Sequence, residues 1–138
     1  CNRLPYEFLV FDEPDLVRKV ASIPFGTAGY HHQIPTVVVV KGNLDNYFSP
    51  RDRHAIYIDS ALATMGFLYA LETLGLSSSV INWPDFEPLE MKMARTLGLA
   101  PHERVICLIA VGYADRDALV ASSPKKSLDV LRRFNVAK

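Results

Sequence analysis

Apolar residues recur along this chain at two spacings, and the changes between them mark its elements. Tyr6-Glu7-Phe8-Leu9-Val10-Phe11 is rich in aromatic and branched residues and stops at Asp12-Glu13-Pro14, so a strand over 6–11 is predicted to turn directly into a helix. Residues 14–23 carry Leu16, Val17 and Val20 at helical spacing, with Asp15 in the first turn, and end before Pro24 and the loop Gly26-Thr27-Ala28-Gly29. Pro35-Thr36-Val37-Val38-Val39-Val40 does not alternate at all. An unbroken β-branched run predicts a strand covered on both faces, at the centre of a sheet.

After a polar, turn-like stretch over 43–50 and the group Arg51-Asp52-Arg53-His54, residues 55–76 contain no proline and end at a Gly75 suited to a helix cap. A long helix is predicted there. Ile56, Ile58, Ala61, Leu62, Met65, Phe67, Leu68, Ala70 and Leu71 point almost everywhere around its wheel, so no broad polar face is left for water. Such a helix is expected to be buried all round. In a chain this short, a second subunit is the natural source of the extra cover.

Residues 77–82 form a short strand candidate that ends at Trp83-Pro84, since a residue before proline avoids the α region. A helix over 88–97 follows, started by Asp85 or Glu87 and closed by Gly98. The run Val105-Ile106-Cys107-Leu108-Ile109-Ala110-Val111 with Gly112-Tyr113 is a fourth strand, and 127–134 reads as a short helix. Four strands mixed with four helices predict one layered domain, α+β or α/β.

Composition narrows the function. Fifteen basic and fifteen acidic residues leave no net field to hold nucleic acid or an anionic membrane. No apolar stretch reaches the roughly 18 to 20 residues that span a bilayer, and no signal sequence opens the chain. Cys1 and Cys107 are too few for a disulfide framework, and Cys107 sits in an apolar run, so a buried thiol and a reducing cytoplasm are expected. His31 and His32 are adjacent and cannot face one metal as an i, i+4 pair would, so no metal site is predicted. No G-x-G-x-x-G or P-loop occurs. The start at Cys1, without a methionine and a few residues before a strand, leads us to expect a preceding segment in the natural protein.

Four segments, in order, resemble the nitroreductase family. Cys1-Asn2-Arg3-Leu4-Pro5-Tyr6-Glu7-Phe8 is similar to the family's serine/asparagine-x-glutamine-proline segment. Residues 58–78 resemble its long central helix and the turn that ends it. Val80-Ile81-Asn82-Trp83 stands where the family places backbone groups against a flavin ring, and 97–113 is similar to its "LGLPPHERPI…LGYP" signature. The resemblance implies an α+β layered fold, with a mixed, mostly antiparallel sheet flanked by helices. It also implies one FMN-binding domain over 1–138, lacking the family's amino-terminal helices, and an interlocked homodimer. Leu4 replaces the usual glutamine, and Gly66 stands where the central helix often has an asparagine.

The activity so implied is electron transfer from NAD(P)H, through FMN, to a nitroaromatic, quinone or similar small acceptor by a ping-pong cycle. Flavin chemistry asks the protein for position and charge rather than for a catalytic triad, so cofactor holders are the residues to find. Asn2 and Arg3 would lie along the ribityl chain and pyrimidine edge, unless they are simply an exposed terminus. Backbone N–H at Ile81 and Asn82 would face N5, unless that segment is an ordinary bend. Lys125 and Lys126, after Pro124, match the family's basic pair at the FMN phosphate, though lysines are commonly solvated. Arg51, Arg53 and His54 read more readily as a solvated or dimer-contact patch, with substrate or nicotinamide phosphate as a minor alternative. Tyr30, Tyr47, Phe48, Trp83 and Phe86 are loop-placed aromatics available to wall a flat pocket, though aromatics are commonly core. A degenerate flavin-fold domain that binds a ligand or partner without turnover is the rival reading, and a same-fold enzyme of other redox chemistry, such as flavin fragmentation or dehalogenation, a second.

Overall fold

A computed structural model describes residues 3–136. Its centre is one four-stranded sheet built from β1 (Tyr6–Phe11), β2 (Thr36–Asn43), β3 (Ser77–Ile81) and β4 (Glu103–Gly112), in the order β1-β2-β4-β3. Every pairing among the described residues is antiparallel, in keeping with the mostly antiparallel, helix-flanked sheet that the resemblance implies. Val37 to Val40 are all buried, as their unbroken β-branched run predicts: β2 is paired on both edges and covered on both faces.

Two helical layers provide that cover. On one face, α1 (Pro14–Ala21) and α3 (Glu87–Leu97) bring Val17, Val20, Leu89 and Met93 against Val37, Val39, Val105 and Leu108. The carboxylate of Glu13 accepts from the N–H groups of Asp15 and Leu16 and starts α1, and Gly98, at φ 68°, closes α3. On the other face, α2 (Ala55–Thr73) lays Phe67, Leu68 and Leu71 on Val38, Val40, Ile109 and Val111. Its end is a Schellman motif, with Leu76 N–H donating to the Leu71 carbonyl and Gly75, at φ 73°, donating to that of Glu72.

The register of β2 on β4 slips between Val40 and Lys41. Opposite the slip, Ile106 and Cys107 both pack in the α2 layer, where strict alternation would have sent one to each face. Burial there pushes the Cys107 thiol above its usual range, which suits a packing role.

Within this one chain the long helix is covered on one side. Ile56, Ser60, Thr64 and Leu71 are buried on the sheet side, while Ile58, Leu62, Met65 and Tyr69 form a stripe on the opposite side that this chain leaves in solvent, Leu62 at 69% and Tyr69 at 65%. The helix is therefore apolar on both sides but covered on one. The described residues beyond Gly112, 113–136, are exposed throughout, and the helix predicted over 127–134 shrinks to α4 (Leu128–Leu131). A single turn without a packing partner has little to sustain it.

Candidate functional site

Arg3 is not a loose terminus. Its guanidinium donates to the Asn46 carbonyl at 2.8 Å, the Asn46 side chain donates back to the Arg3 carbonyl at 2.8 Å, and its charge lies 5.8 Å from the centre of the Tyr47 ring. The Tyr47 hydroxyl in turn donates to Asp59 of α2 at 3.1 Å. Between Arg3 and β1, Leu4 takes φ 45°, a left-handed conformation costing about 1–2 kcal/mol for a side-chain-bearing residue, which the Asn46 bonds help to hold. Asn2 lies outside the described residues. Asn46 and Asp59 carried no signal in the sequence, because their role arises only when the β2–α2 connection folds back over the start of β1.

Ile81 and Asn82 sit at the other edge of the sheet. Among the described residues β3 pairs with β4 alone, so one row of its backbone N–H and C=O groups is free of the ladder, although the Ile81 side chain is buried in the core and Asn82 is exposed just past the strand end. Trp83, expected as a pocket wall, is instead core: its ring is buried and its indole N–H donates to Glu90 of α3, which pins the turn after Asn82. At the head of β3 lies a cleft of about 300 Å³ lined by Tyr30, Gln33, the three serines Ser77 to Ser79 and Tyr113, among others. Tyr30 is thus the loop aromatic placed at a cavity beside the β3 edge, while Phe86 stacks on Phe25, 5.6 Å between centroids.

Arg3 and the Ile81–Asn82 segment do not meet in one chain. Three strand spacings separate β1 from β3, about 14 Å at the usual 4.8 Å, with further offset along the strands. Lys125 and Lys126 stand in the exposed tail. That tail leaves the body at Tyr113, on the wall of the β3 cleft. No group of three or more His, Cys, Asp or Glu suited to a metal occurs among the described residues, and none of their helices is long and apolar enough to cross a membrane.

One ionic cluster holds the sheet's lower end. Lys41 on β2 reaches Glu7 on β1 at 2.8 Å and bonds Glu103 on β4, whose other oxygen accepts from Ala100 N–H at 2.8 Å. Burial alone would lower the pKa of Lys41, whose side chain is 15% exposed, but its two carboxylate partners outweigh burial and raise it. The Lys41 bond first, and the Ala100 N–H second, hold the Glu103 carboxyl below its ordinary 4.5. A carboxyl depressed by folding stabilises the native state above its unfolded pKa, and that contribution is lost as pH falls through the folded value. The thermal midpoint is therefore expected to fall steadily below about pH 4.5, and Glu103→Gln should lower it at pH 7 and flatten that acid limb; an acid limb unchanged in the variant would refute the assignment.

Comparison with known proteins places this arrangement. The family model described as "Nitroreductase family" matches residues 5–113. No curated protein matches the chain. Among solved structures, a Parabacteroides distasonis ATCC 8503 protein provisionally described as an NADH dehydrogenase/NAD(P)H nitroreductase superposes with a TM-score of 0.77 at 21% identity, over 97% of this chain and 74% of that one. The FMN-dependent nitroreductase of Clostridium difficile R20291 gives 0.76 at 17% identity, over 97% and 76%. A nitroreductase family protein of Streptococcus pneumoniae TIGR4 gives 0.72 at 19%, over 97% and 80%. At these identities the superpositions establish the fold, and the family match spans most of the chain. The chain belongs to the nitroreductase family of oxidoreductases.

Proposed function

We propose that this protein is an FMN-dependent oxidoreductase that passes electrons from NAD(P)H to a nitroaromatic, quinone or similar small acceptor, and that it works as a homodimer. The observation that carries this reading is the open backbone edge of β3 with a cleft at its head. Such an edge suits a flat polar ring, because backbone donors there need no side chain and are already fixed by the sheet. The C. difficile relative is described as FMN-dependent, in line with that fit.

Bound at this edge, FMN would supply a ring that takes hydride from a nicotinamide and returns electrons to an acceptor. The chain's part is to hold and polarise that ring. Ile81 and Asn82 would present backbone N–H to its N5 side, with the Trp83–Glu90 bond keeping the turn from swinging away. Lys125 and Lys126 would meet the phosphate. They follow Tyr113 by about a dozen residues, a reach of up to ~40 Å when extended, so their exposed tail can swing to the cleft of either copy. Arg3, with Asn2 beside it, would reach the pyrimidine edge only from a second copy, because β1 and β3 are opposite edges of one sheet. The uncovered stripe Ile58, Leu62, Met65 and Tyr69 is apolar surface that favours such a pairing. NAD(P)H and the acceptor would use the same side in turn.

Binding without turnover is a second reading, favoured by Leu4, an exposed apolar residue in place of the usual glutamine. Absorption spectroscopy on the purified chain, with light scattering on the same sample, separates the two. The expected result is a flavin band that bleaches when NADH or NADPH is added, on a particle of twice the chain's mass. A colourless protein that takes up no FMN, or a flavin band that does not bleach, rejects the first reading and favours the second.

A further inference from the structure

The connection between β2 and α2 carries more than two elements need to be joined. It folds into a cleft of about 260 Å³ lined by Leu44, Tyr47, Phe48, Ser49, Pro50 and Arg53. Phe48 is 77% exposed, so a large aromatic face is held open to solvent at its wall. The neighbouring charges are mostly engaged. Arg51 lies over the Phe48 ring, 5.2 Å from its centre, and stands 3.6 Å from Asp52; the Asp59 carboxylate accepts from Tyr47. Arg53 lines the cleft and, among the described residues, forms no ion pair.

Size and chemistry together select an occupant. Sites for drug-sized ligands run about 300–1,000 Å³, so a cavity just below that range takes one ring with a substituent and not a dinucleotide. Aromatic and aliphatic walls favour a flat apolar body. One uncommitted guanidinium at the wall favours a carboxylate, which it can grip with two parallel N–H bonds.

We propose that this cleft binds a single aromatic ring carrying a carboxylate, and that it thereby selects anionic over neutral aromatic electron acceptors. The acceptor role rests on the flavin reading above, whereas the binding does not. Tyr47 joins the two, since it walls the cleft and carries Arg3 on its ring.

Calorimetric titration of the full chain with 4-nitrobenzoate and with the uncharged 4-nitrobenzyl alcohol tests this. At low salt the anion is expected to bind about tenfold more tightly, the equivalent of one charge-assisted contact, and the gap should narrow as salt rises. Arg53→Gln should erase the preference and Arg53→Lys keep part of it, while Phe48→Ala should weaken both ligands. Arg53 and Phe48 are exposed, so their variants are expected to melt like the parent. Equal affinity for the two rings, or a preference that survives Arg53→Gln, overturns the proposal. Flavin absorbance measured on the same samples keeps the two ideas apart: a colourless protein that still prefers the anion leaves the cleft standing and rejects the flavin reading, and a yellow protein without the preference rejects the cleft alone.

Discussion

Gly42→Val is expected to destabilise the fold by about 3 kcal/mol, the upper end of the usual cost of overpacking a core. A Cβ at Gly42 would stand 2.9 Å from the Ile56 Cβ and 3.1 Å from the Ile106 Cδ1. Ile56 is fully buried in the first turn of α2, and its Cβ is fixed to the helix backbone, so the clash is relieved only by lifting α2 from the sheet. For a domain whose whole stability is of order 5–15 kcal/mol, that loss is large. It would also loosen the site, because Asp59, one turn further along α2, anchors Tyr47 and through it Arg3. Urea unfolding is the measurement: the midpoint should drop with little change in slope. An unchanged midpoint would mean that α2 does not seat on β2 as described.

Replacing Lys125 and Lys126 together by alanine should weaken FMN retention by roughly 30- to 100-fold at low ionic strength, if each lysine supplies one charge-assisted contact to the phosphate. Both side chains are exposed, so the melting temperature of the flavin-free protein should stay the same. Retention is read as the FMN dissociation constant by fluorescence quenching, and the deficit should shrink with added salt as exposed charges are screened. Wild-type affinity in the double variant would remove the pair from the site and leave the phosphate to other residues.

Several elements could be read from local chemistry alone, and for clear reasons. The strand Tyr6–Phe11 and the buried strand through Val37 to Val40 follow from residue type, since branched and aromatic side chains in short runs suit a pleated, covered backbone. The ends of α2 and α3 follow from Gly75 and Gly98, both in the left-handed conformation that glycine adopts without strain. The family resemblance likewise lay in contiguous segments, and the match over residues 5–113 agrees with it.

Contacts between distant residues were not legible. Lys41 and Glu103 lie 62 positions apart, and Arg3 and Asn46 43 apart. No periodicity links such residues, because the sheet's strand order and the slip after Val40 decide which of them meet. Nothing local distinguishes Trp83 as core from Trp83 as a pocket wall; its burial depends on α3 presenting Glu90 to the indole N–H.

Local patterning is enough to show that α2 is apolar around its whole circumference, that the chain has four strands and where they lie, and that basic and aromatic residues cluster before α2. It takes the folded chain to show that α2 lays one side on the sheet and leaves Ile58, Leu62, Met65 and Tyr69 uncovered, and that Arg3 and Asn82 belong to opposite edges. The physical reason is one of range: propensity, capping and periodicity act within a few residues, whereas the face a helix buries and the neighbours a strand takes are settled by packing across the whole core.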